Sequence, residues 1–154
     1  MALQLAAGVR VGGFEYPLDD VYIHLAMAEQ IAVGGYGVNA GEVSSAASSP
    51  LYPLLLVPFV NFDWAVYVPV LVNAVALVLA AWVWGRLVLE LTAPPPIRFA
   101  IAVLGPVLLN FAGDAFVSME HTLHVLATLM ILRGLQRFVL EDVLSWILWV
   151  GVFL

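Results

Sequence analysis

Residues 64–91 read WAVYVPVLVNAVALVLAAWVWGRLVLEL. Within this stretch only Arg86 and Glu90 carry a charge, and both lie close to its end. A helix that spans a membrane needs about 20 predominantly apolar residues to cross roughly 30 Å of hydrocarbon. The stretch therefore predicts a transmembrane helix, and it places the chain among integral membrane proteins.

The composition of the whole chain leads to the same class. Hydrophobic residues make up 64% of the 154 residues and charged residues only 10%, with a mean hydropathy of +1.04. A domain of this length has no interior large enough to bury that much apolar surface, so lipid must cover it. The absence of Cys excludes disulfide frameworks, thiolate metal sites and thiol nucleophiles. With five basic residues against eleven acids, the sequence offers no basic patch for nucleic acid, and we expect none as a partner.

The rest of the C-terminal region, residues 63–154, is also predicted to be transmembrane. Further spans are expected at Ile97–Gly113 and Met119–Val139, and a fourth apolar run, Leu144–Leu154, is too short to cross the bilayer. Pro94–Pro96 separates the first two spans, because consecutive prolines cannot continue a helix. We therefore expect an all-α, multi-pass (polytopic) membrane protein whose last helix is truncated.

The arginines predict the orientation of these spans, because basic residues near span ends mark the cytoplasmic side. With alternating spans, four of them fall on one side and are interpreted as topology anchors: Arg86, Arg98, Arg133 and Arg137. Most of the acids fall on the other side: Glu15, Asp19, Asp20, Glu29, Glu42, Asp63, Asp114 and Glu120. Only Arg10 departs from this pattern. Residues 1–63 are accordingly predicted on the non-cytoplasmic side of the cytoplasmic (plasma) membrane.

Residues 1–18 form an N-terminal segment whose apolar run, Leu3–Val11, is too short to span. Some segment must translocate this end, so we expect a first transmembrane helix that is missing from the sequence. Residues 19–62 then form the first external loop, which is predicted to carry interfacial helices.

Two helices are predicted in this loop. The first runs from about Val21 to Val33 along the membrane surface, with Asp19 or Asp20 as its cap and an apolar face of Val21, Leu25, Ala28 and Ala32. Gly34 and Gly35 are expected to end it. The second helix, within Pro50–Phe62, is predicted to lie at or dip into the interface, with Ser49 as its N-cap.

Two groups of residues carry candidate chemistry. The adjacent carboxylates of Asp19 and Asp20 could act as a general base or bind a divalent cation, although capping and the helix dipole alone also favour acids there. In the stretch Ser118–His124, Glu120 and the two imidazoles of His121 and His124 suit a substrate-facing, proton-transfer or metal-binding role. The plainer interpretation makes Ser118 an N-cap and places Glu120 in the first helical turn. Spacing alone leaves these alternatives open.

The order of the motifs resembles a known family. The runs Asp19–Ile23, Gly35–Glu42 and Ser49–Tyr52 resemble the first external loop of polyprenyl-phosphate-sugar-dependent membrane glycosyltransferases of the GT-C fold. Ser118–Leu123 is similar to a Gly-Met-Glu-Thr motif found in the same bacterial families. The resemblance covers nearly all of this chain but only the N-terminal part of such an enzyme. It implies a partial GT-C-like transmembrane helical bundle with an external loop.

The resemblance also implies an activity and its residues. Such an enzyme transfers a sugar, with inversion, from a polyprenyl-phosphate-linked donor to an acceptor hydroxyl of a cell-envelope glycan, lipid or protein on the outer face of the membrane. Asp19 or Asp20 would be the catalytic base or would hold a divalent cation, the one cofactor to consider. Substrate-binding positions would be Tyr22, His24, Glu42, Glu120 and His121.

The sequence also departs from the family pattern. Ser118 stands where Gly is usual, His121 where Thr is commoner, and Ala47–Ser49 where Gly-Tyr-Thr often precedes Ser-Pro-Leu. Two other hypotheses therefore stay open. One is an inactive remnant of such an enzyme, and the other is a transporter or channel subunit in which Asp19, Asp20 and Glu120 coordinate a cation.

Overall fold

The structure, a computed structural model, describes residues 14–153, and in this part of the chain it is helical with no β-strand. The predictions for residues 1–13, including the apolar run Leu3–Val11 and the side of Arg10, lie outside the described residues, as does Leu154. The α-helices of the described part are α1 (Asp20–Ala32), α2 (Leu51–Leu56), α3 (Val68–Leu89), α4 (Pro95–Leu108), α5 (Phe111–Val117), α6 (His121–Glu141) and α7 (Trp146–Phe153). Short 3-10 turns at Val57–Phe59 and Ala65–Tyr67 precede α3.

Three helical segments are long and apolar enough to cross a membrane. They are Ala65–Leu89, Pro95–Val117 and His121–Glu141, with 25, 23 and 21 residues. Their outward side chains are large and apolar, as in Val78, Phe99 and Val107, which are 68%, 71% and 71% exposed. Apolar surface of this extent needs a lipid environment. The prediction of a multi-pass helical membrane protein is therefore supported at the level of three candidate spans.

The described part of the chain divides into two compact units, and the first comprises residues 14–72 together with Phe116–Glu120. Its apolar core contains Tyr16, Val21 and Met119. The Tyr16 hydroxyl donates a hydrogen bond to the carbonyl of Val66 at 2.5 Å, and burial raises the pKa of this hydroxyl above its ordinary value. These contacts tie the segment before α1 to the start of the first span.

Helix α1 matches its predicted length but not its predicted face. It ends at Ala32, and Gly34 follows with a φ of 87°, so the glycines end the helix as expected. Its buried side chains are Val21, His24, Met27 and Ala28. The predicted apolar face is therefore wrong at Ala32, which is exposed, and it missed the fully buried His24.

Helix α2 begins one residue later than predicted. Its N-cap is Pro50, which has no side-chain cap, and the Ser49 carbonyl accepts the N–H of Tyr52 at 3.4 Å. The predicted N-cap is therefore wrong by one residue, and no side-chain oxygen caps the start of α2. Leu51, Leu54 and Leu55 are exposed on α2, and contact of this face with the membrane interface stays a prediction.

The second unit comprises Asn73–Ala115 and residues 121–153. Its core is formed by Ala76, Ala80, Val83, Phe111, Leu126 and Leu129. The second candidate span is interrupted between α4 and α5, where Asn110 has a φ of 55°. Gly105 and Pro106 lie inside α4, a few residues before the break.

Helix α7 packs antiparallel against α6 in the same unit. A Cβ on Gly134 would lie 2.7 Å from the Cα of Leu148, and a Cβ on Gly151 would lie 2.8 Å from the carbonyl oxygen of Ala127. Glycines therefore let the two backbones approach closely, as small residues commonly do between membrane helices.

An ion pair in this unit gives one of the arginines a contact that the sequence did not suggest. The Nη2 atom of Arg133 lies 2.7 Å from an Oε1 of Glu90, and the Arg133 side chain is 6% exposed. Arg133 on α6 is thus a buried residue that pairs with the end of α3, and not simply a charge at the membrane surface.

Candidate functional site

The turn between α5 and α6 positions Glu120. Helix α6 begins at His121, so Glu120 precedes the helix and Ser118 is not its N-cap, contrary to both expectations. Ser118 is completely buried and has a φ of 60°, in the left-handed region that favours glycine. Ser118 and Glu120 both belong to the first unit.

Glu120 is buried and binds two side chains from the external segment. Its Oε2 lies 3.2 Å from the Nε2 of His24, and the side chains of His24 and Glu120 are 2% and 3% exposed. Its Oε1 accepts a hydrogen bond from the Ser48 hydroxyl, 72 residues away in sequence. Through these two contacts Glu120 joins α1 to the loop before α2.

Tyr52 completes this arrangement from α2. Its ring packs edge-on against the imidazole of His24, with centroids 5.0 Å apart. Its hydroxyl donates a hydrogen bond to the carbonyl of Ser118 at 2.9 Å. We call His24, Ser48, Tyr52, Ser118 and Glu120 the polar cluster; its members come from three separate stretches of the chain.

Asp19 and Asp20 are exposed at the start of α1, outside the polar cluster. Asp19 occupies the N-cap position, yet its side chain makes no capping hydrogen bond, and its carbonyl instead accepts the N–H groups of Tyr22 and Ile23. Side-chain capping by Asp19, the plainer alternative for this residue, is therefore not observed. Asp20 lies in the first turn, four residues before His24 on the same helix.

The other predicted site residues are dispersed. Tyr22 is 38% exposed, and its hydroxyl accepts the N–H of Tyr16 at 3.0 Å. Glu42 is exposed and accepts a hydrogen bond from the Asn39 side chain at 2.7 Å. His121 is exposed at the start of α6. Of the seven predicted site residues, the structure brings His24 and Glu120 together.

A metal site is not evident in the described part of the chain. Among residues 14–153 no group of three or more His, Asp and Glu side chains is close enough to hold a metal ion. Glu120 and His24 form a pair, and the Asp19 and Asp20 carboxylates are two neighbouring groups at the surface. What the geometry offers directly is a buried acid beside an imidazole and, separately, two exposed acids at the start of α1.

The chain was compared with protein-family models, curated proteins and solved structures. None of them matches it. A functional interpretation therefore depends on the polar cluster and on the motifs that supply its residues.

Sequence reasoning did not select Ser48, Tyr52 and Ser118 as site residues, although they lie in or beside the stretches that were singled out. Ser118 offered a signal, because it occupies the place where the similar family has Gly. The positive φ of Ser118 gives that substitution a physical meaning, since the turn needs a conformation that Gly adopts without strain.

This conformation predicts the effect of substitutions at Ser118. A non-Gly residue in the left-handed region costs roughly 1–2 kcal/mol, and a β-branched residue there is a strong outlier. We expect the free energy of unfolding of Ser118→Gly to lie within about 1 kcal/mol of the wild-type value, because relief of backbone strain offsets the greater freedom of the unfolded chain. Ser118→Val should lose about 2–3 kcal/mol. Thermal or denaturant unfolding in detergent measures the difference, and equal stability of the two variants would contradict the role of this backbone turn.

Proposed function

We propose that this chain is part of an inverting membrane glycosyltransferase of the GT-C type. It transfers a sugar from a polyprenyl-phosphate-linked donor to a hydroxyl of a cell-envelope acceptor, on the outer face of the cytoplasmic membrane. Residues 1–63 lie on that face, and the arginines at the opposite ends of the spans hold the orientation. A loop aspartate is the general base.

The observation that carries the proposal is the meeting of the motifs in the polar cluster. His24 follows the Asp19–Ile23 motif on α1, Tyr52 belongs to the Ser-Pro-Leu-Tyr motif, and Glu120 belongs to the Met-Glu motif. The contacts of Glu120 with His24 and of Tyr52 with Ser118 join these stretches in one compact unit. Motifs that share a site in an enzyme are expected to meet in this way.

The chemistry of the transfer assigns different roles to the exposed and buried acids. An acceptor hydroxyl must lose a proton as it attacks the anomeric carbon, whereas a phosphate leaving group needs little acid assistance. A base must reach the acceptor, and the exposed carboxylates of Asp19 and Asp20 are accessible for this. Glu120 is buried and bound by His24 and Ser48, so we assign it a positioning role in which it fixes the helix that carries the aspartates.

The experiment replaces each aspartate separately, as Asp19→Asn and Asp20→Asn, in the full-length protein. A positioned general base contributes about 10²- to 10⁴-fold to the rate. We expect at least one variant to lose sugar transfer from a polyprenyl-phosphate donor by a factor in that range, with most of the loss in kcat. Transfer of radiolabelled sugar in membranes measures it.

The matched control is Glu29→Gln, which removes an exposed carboxylate from the same helix away from the aspartates. It should retain wild-type turnover. Because the chain contains no Cys, a single Cys introduced at the exposed Asn39 reports, through labelling with an impermeant thiol reagent, that each variant is still inserted. Wild-type turnover in both aspartate variants would overturn the assignment of the base.

A further inference from the structure

Tyr16 holds the segment before α1 through both its side chain and its backbone. Its hydroxyl donates a hydrogen bond to the Val66 carbonyl at 2.5 Å, and its N–H donates to the Tyr22 hydroxyl at 3.0 Å. The residue is buried, with 7% of its surface exposed. Val66 directly precedes α3 and Tyr22 lies on α1, so this one residue contacts the beginnings of both helices.

The Tyr16 hydroxyl takes the place of a backbone hydrogen bond at the start of the first span. Burial raises the pKa of this hydroxyl, and a hydrogen bond from the backbone of Val70 opposes that rise, which is the effect of an N–H that donates to the phenol oxygen. Val66 and Val70 are four residues apart, the spacing at which a carbonyl and an N–H bond each other in an α-helix. The hydroxyl is inserted between these two groups, where the 3-10 turn Ala65–Tyr67 meets the first residue of α3, Val68. It is therefore part of the hydrogen bonding of the span itself.

The two aspartates lie in a short stretch that these contacts close. Tyr22 accepts the N–H of Tyr16 through its hydroxyl, and its own N–H donates to the Asp19 carbonyl at 2.9 Å. The rings of Tyr16 and Tyr22 also pack edge to face, with centroids 5.6 Å apart. Pro17 fixes one backbone angle of the stretch. The backbone that carries Asp19 and Asp20 is thus held on both sides, while both carboxylates stay exposed.

We propose that Tyr16 is the positioning residue of the aspartate pair, and that its hydroxyl fixes Asp19 and Asp20 relative to the start of α3. This role rests on the proposed function, in which one of the two aspartates is the base. A membrane-bound substrate is held at a fixed depth, so the base must keep a fixed height relative to the spans. Displacement of a catalytic group by about 1 Å can lower a rate about a hundredfold.

The first experiment measures turnover of Tyr16→Phe, which keeps the ring and removes only the hydroxyl from the full-length protein. We expect kcat to fall about ten- to a hundredfold and KM to stay within about twofold of the wild-type value, because the substrates still bind while the base is misplaced. Tyr67→Phe is the matched control. Its ring contacts Phe14 in the same aromatic group and the residue is 43% exposed, so turnover should be unchanged.

A double variant tests whether Tyr16 acts through the aspartates. Tyr16→Phe is added to whichever of Asp19→Asn and Asp20→Asn has the lower turnover. The second change should cause no further loss of sugar transfer, because both changes act through the same group.

A second measurement reports on this stretch without sugar transfer. Because the chain contains no Cys, a nitroxide attached at Leu18→Cys, between Tyr16 and Asp19 and 42% exposed in the wild type, gives an electron paramagnetic resonance spectrum of that stretch alone. Tyr16→Phe should shift this spectrum toward the mobile component, whereas Tyr67→Phe should leave it unchanged. A nitroxide at the exposed position Asn39→Cys should give the same spectrum in all three proteins.

The outcomes separate this role from the proposed function. An unchanged spectrum at Leu18 in Tyr16→Phe, or a further loss of transfer in the double variant, would overturn the role of Tyr16. Wild-type turnover of Tyr16→Phe, alongside loss in the aspartate variants, contradicts that role alone. A protein that shows the change in mobility at Leu18 but transfers no sugar contradicts the proposed function.

Discussion

Glu90→Ala is expected to destabilise the second unit by about 3 kcal/mol, since breaking a buried ion pair leaves its partner charge uncompensated. The Arg133 side chain is 6% exposed, and its Nη2 lies 2.7 Å from Glu90. Its Nε and Nη1 atoms are buried without a hydrogen-bond partner among the residues that the structure describes. Glu90 itself is 32% exposed, which places the effect at the lower end of the range of about 3–5 kcal/mol for buried pairs.

The chain contains a matched control on the same helix as Arg133. Arg137 and Glu141 form an ion pair of 3.0 Å between residues four apart, with side chains 35% and 51% exposed. Exposed pairs of this kind contribute only about 0.3–0.5 kcal/mol, so Glu141→Ala should hardly change the free energy of unfolding. Unfolding of both variants in detergent, followed by circular dichroism, makes the comparison.

A double variant tests the cause of the loss. Replacing the pair together, as Glu90→Gln with Arg133→Met, removes the buried charge as well as its partner and should recover most of the lost stability. Similar, small losses for Glu90→Ala and Glu141→Ala would show that the Arg133 guanidinium reaches water or lipid phosphate when Glu90 is absent.

The candidate spans could be predicted from sequence because apolar length alone decides them. The expected span Trp64–Leu91 corresponds to the helical segment Ala65–Leu89. The second span shows where the reasoning failed, since Ile97–Gly113 was expected and Pro95–Val117 is found. Proline is tolerated in the first helical turn, where its missing N–H has no helical partner, so Pro95 can open the helix with Pro94 as its N-cap.

The other end of that span was misjudged for a different reason. Gly113 suggests a stop in the sequence, but it lies inside α5, where the absence of a Cβ leaves room for the Asn110 side chain. Asn110 is the residue that breaks the helix, by adopting a positive φ that Asn tolerates better than most residues. A local pattern does not reveal which of two such residues turns the chain.

The polar cluster could be predicted only in part. The motifs indicated the stretches that supply its residues. The sequence pointed to Asp19 and Asp20 as the site because two adjacent carboxylates form a recognisable pattern. Glu120 contacts His24 on α1 and the Ser48 hydroxyl, which is 72 residues away in sequence. Contacts between residues so far apart in sequence depend on the fold, and no local pattern reveals them. His24 is only 1% exposed, and its predicted substrate-binding role stays a prediction.

Glu120→Ala is expected to destabilise the first unit by about 3 kcal/mol, the upper end of the range for removing one partner of a buried polar contact. His24 and Ser48 both lose their contact with the carboxylate, and the loop before α2 is no longer joined to α1 through it. Glu120→Gln should lose less stability, since the amide oxygen of Gln can still accept a hydrogen bond from the Ser48 hydroxyl. Glu29→Ala, an exposed acid on α1, should stay within about 0.5 kcal/mol of the wild type.

Sugar transfer separates this positioning role from that of the aspartates. Under the proposed function, Glu120→Gln should lower turnover and stability together, because α1 carries Asp19 and Asp20 and depends on Glu120 for its placement. Asp19→Asn and Asp20→Asn should instead leave the free energy of unfolding within about 0.5 kcal/mol of the wild type, since both side chains are exposed. A Glu120→Gln variant with wild-type stability and no transfer would make Glu120 a catalytic residue, and the assignment of a positioning role would be wrong.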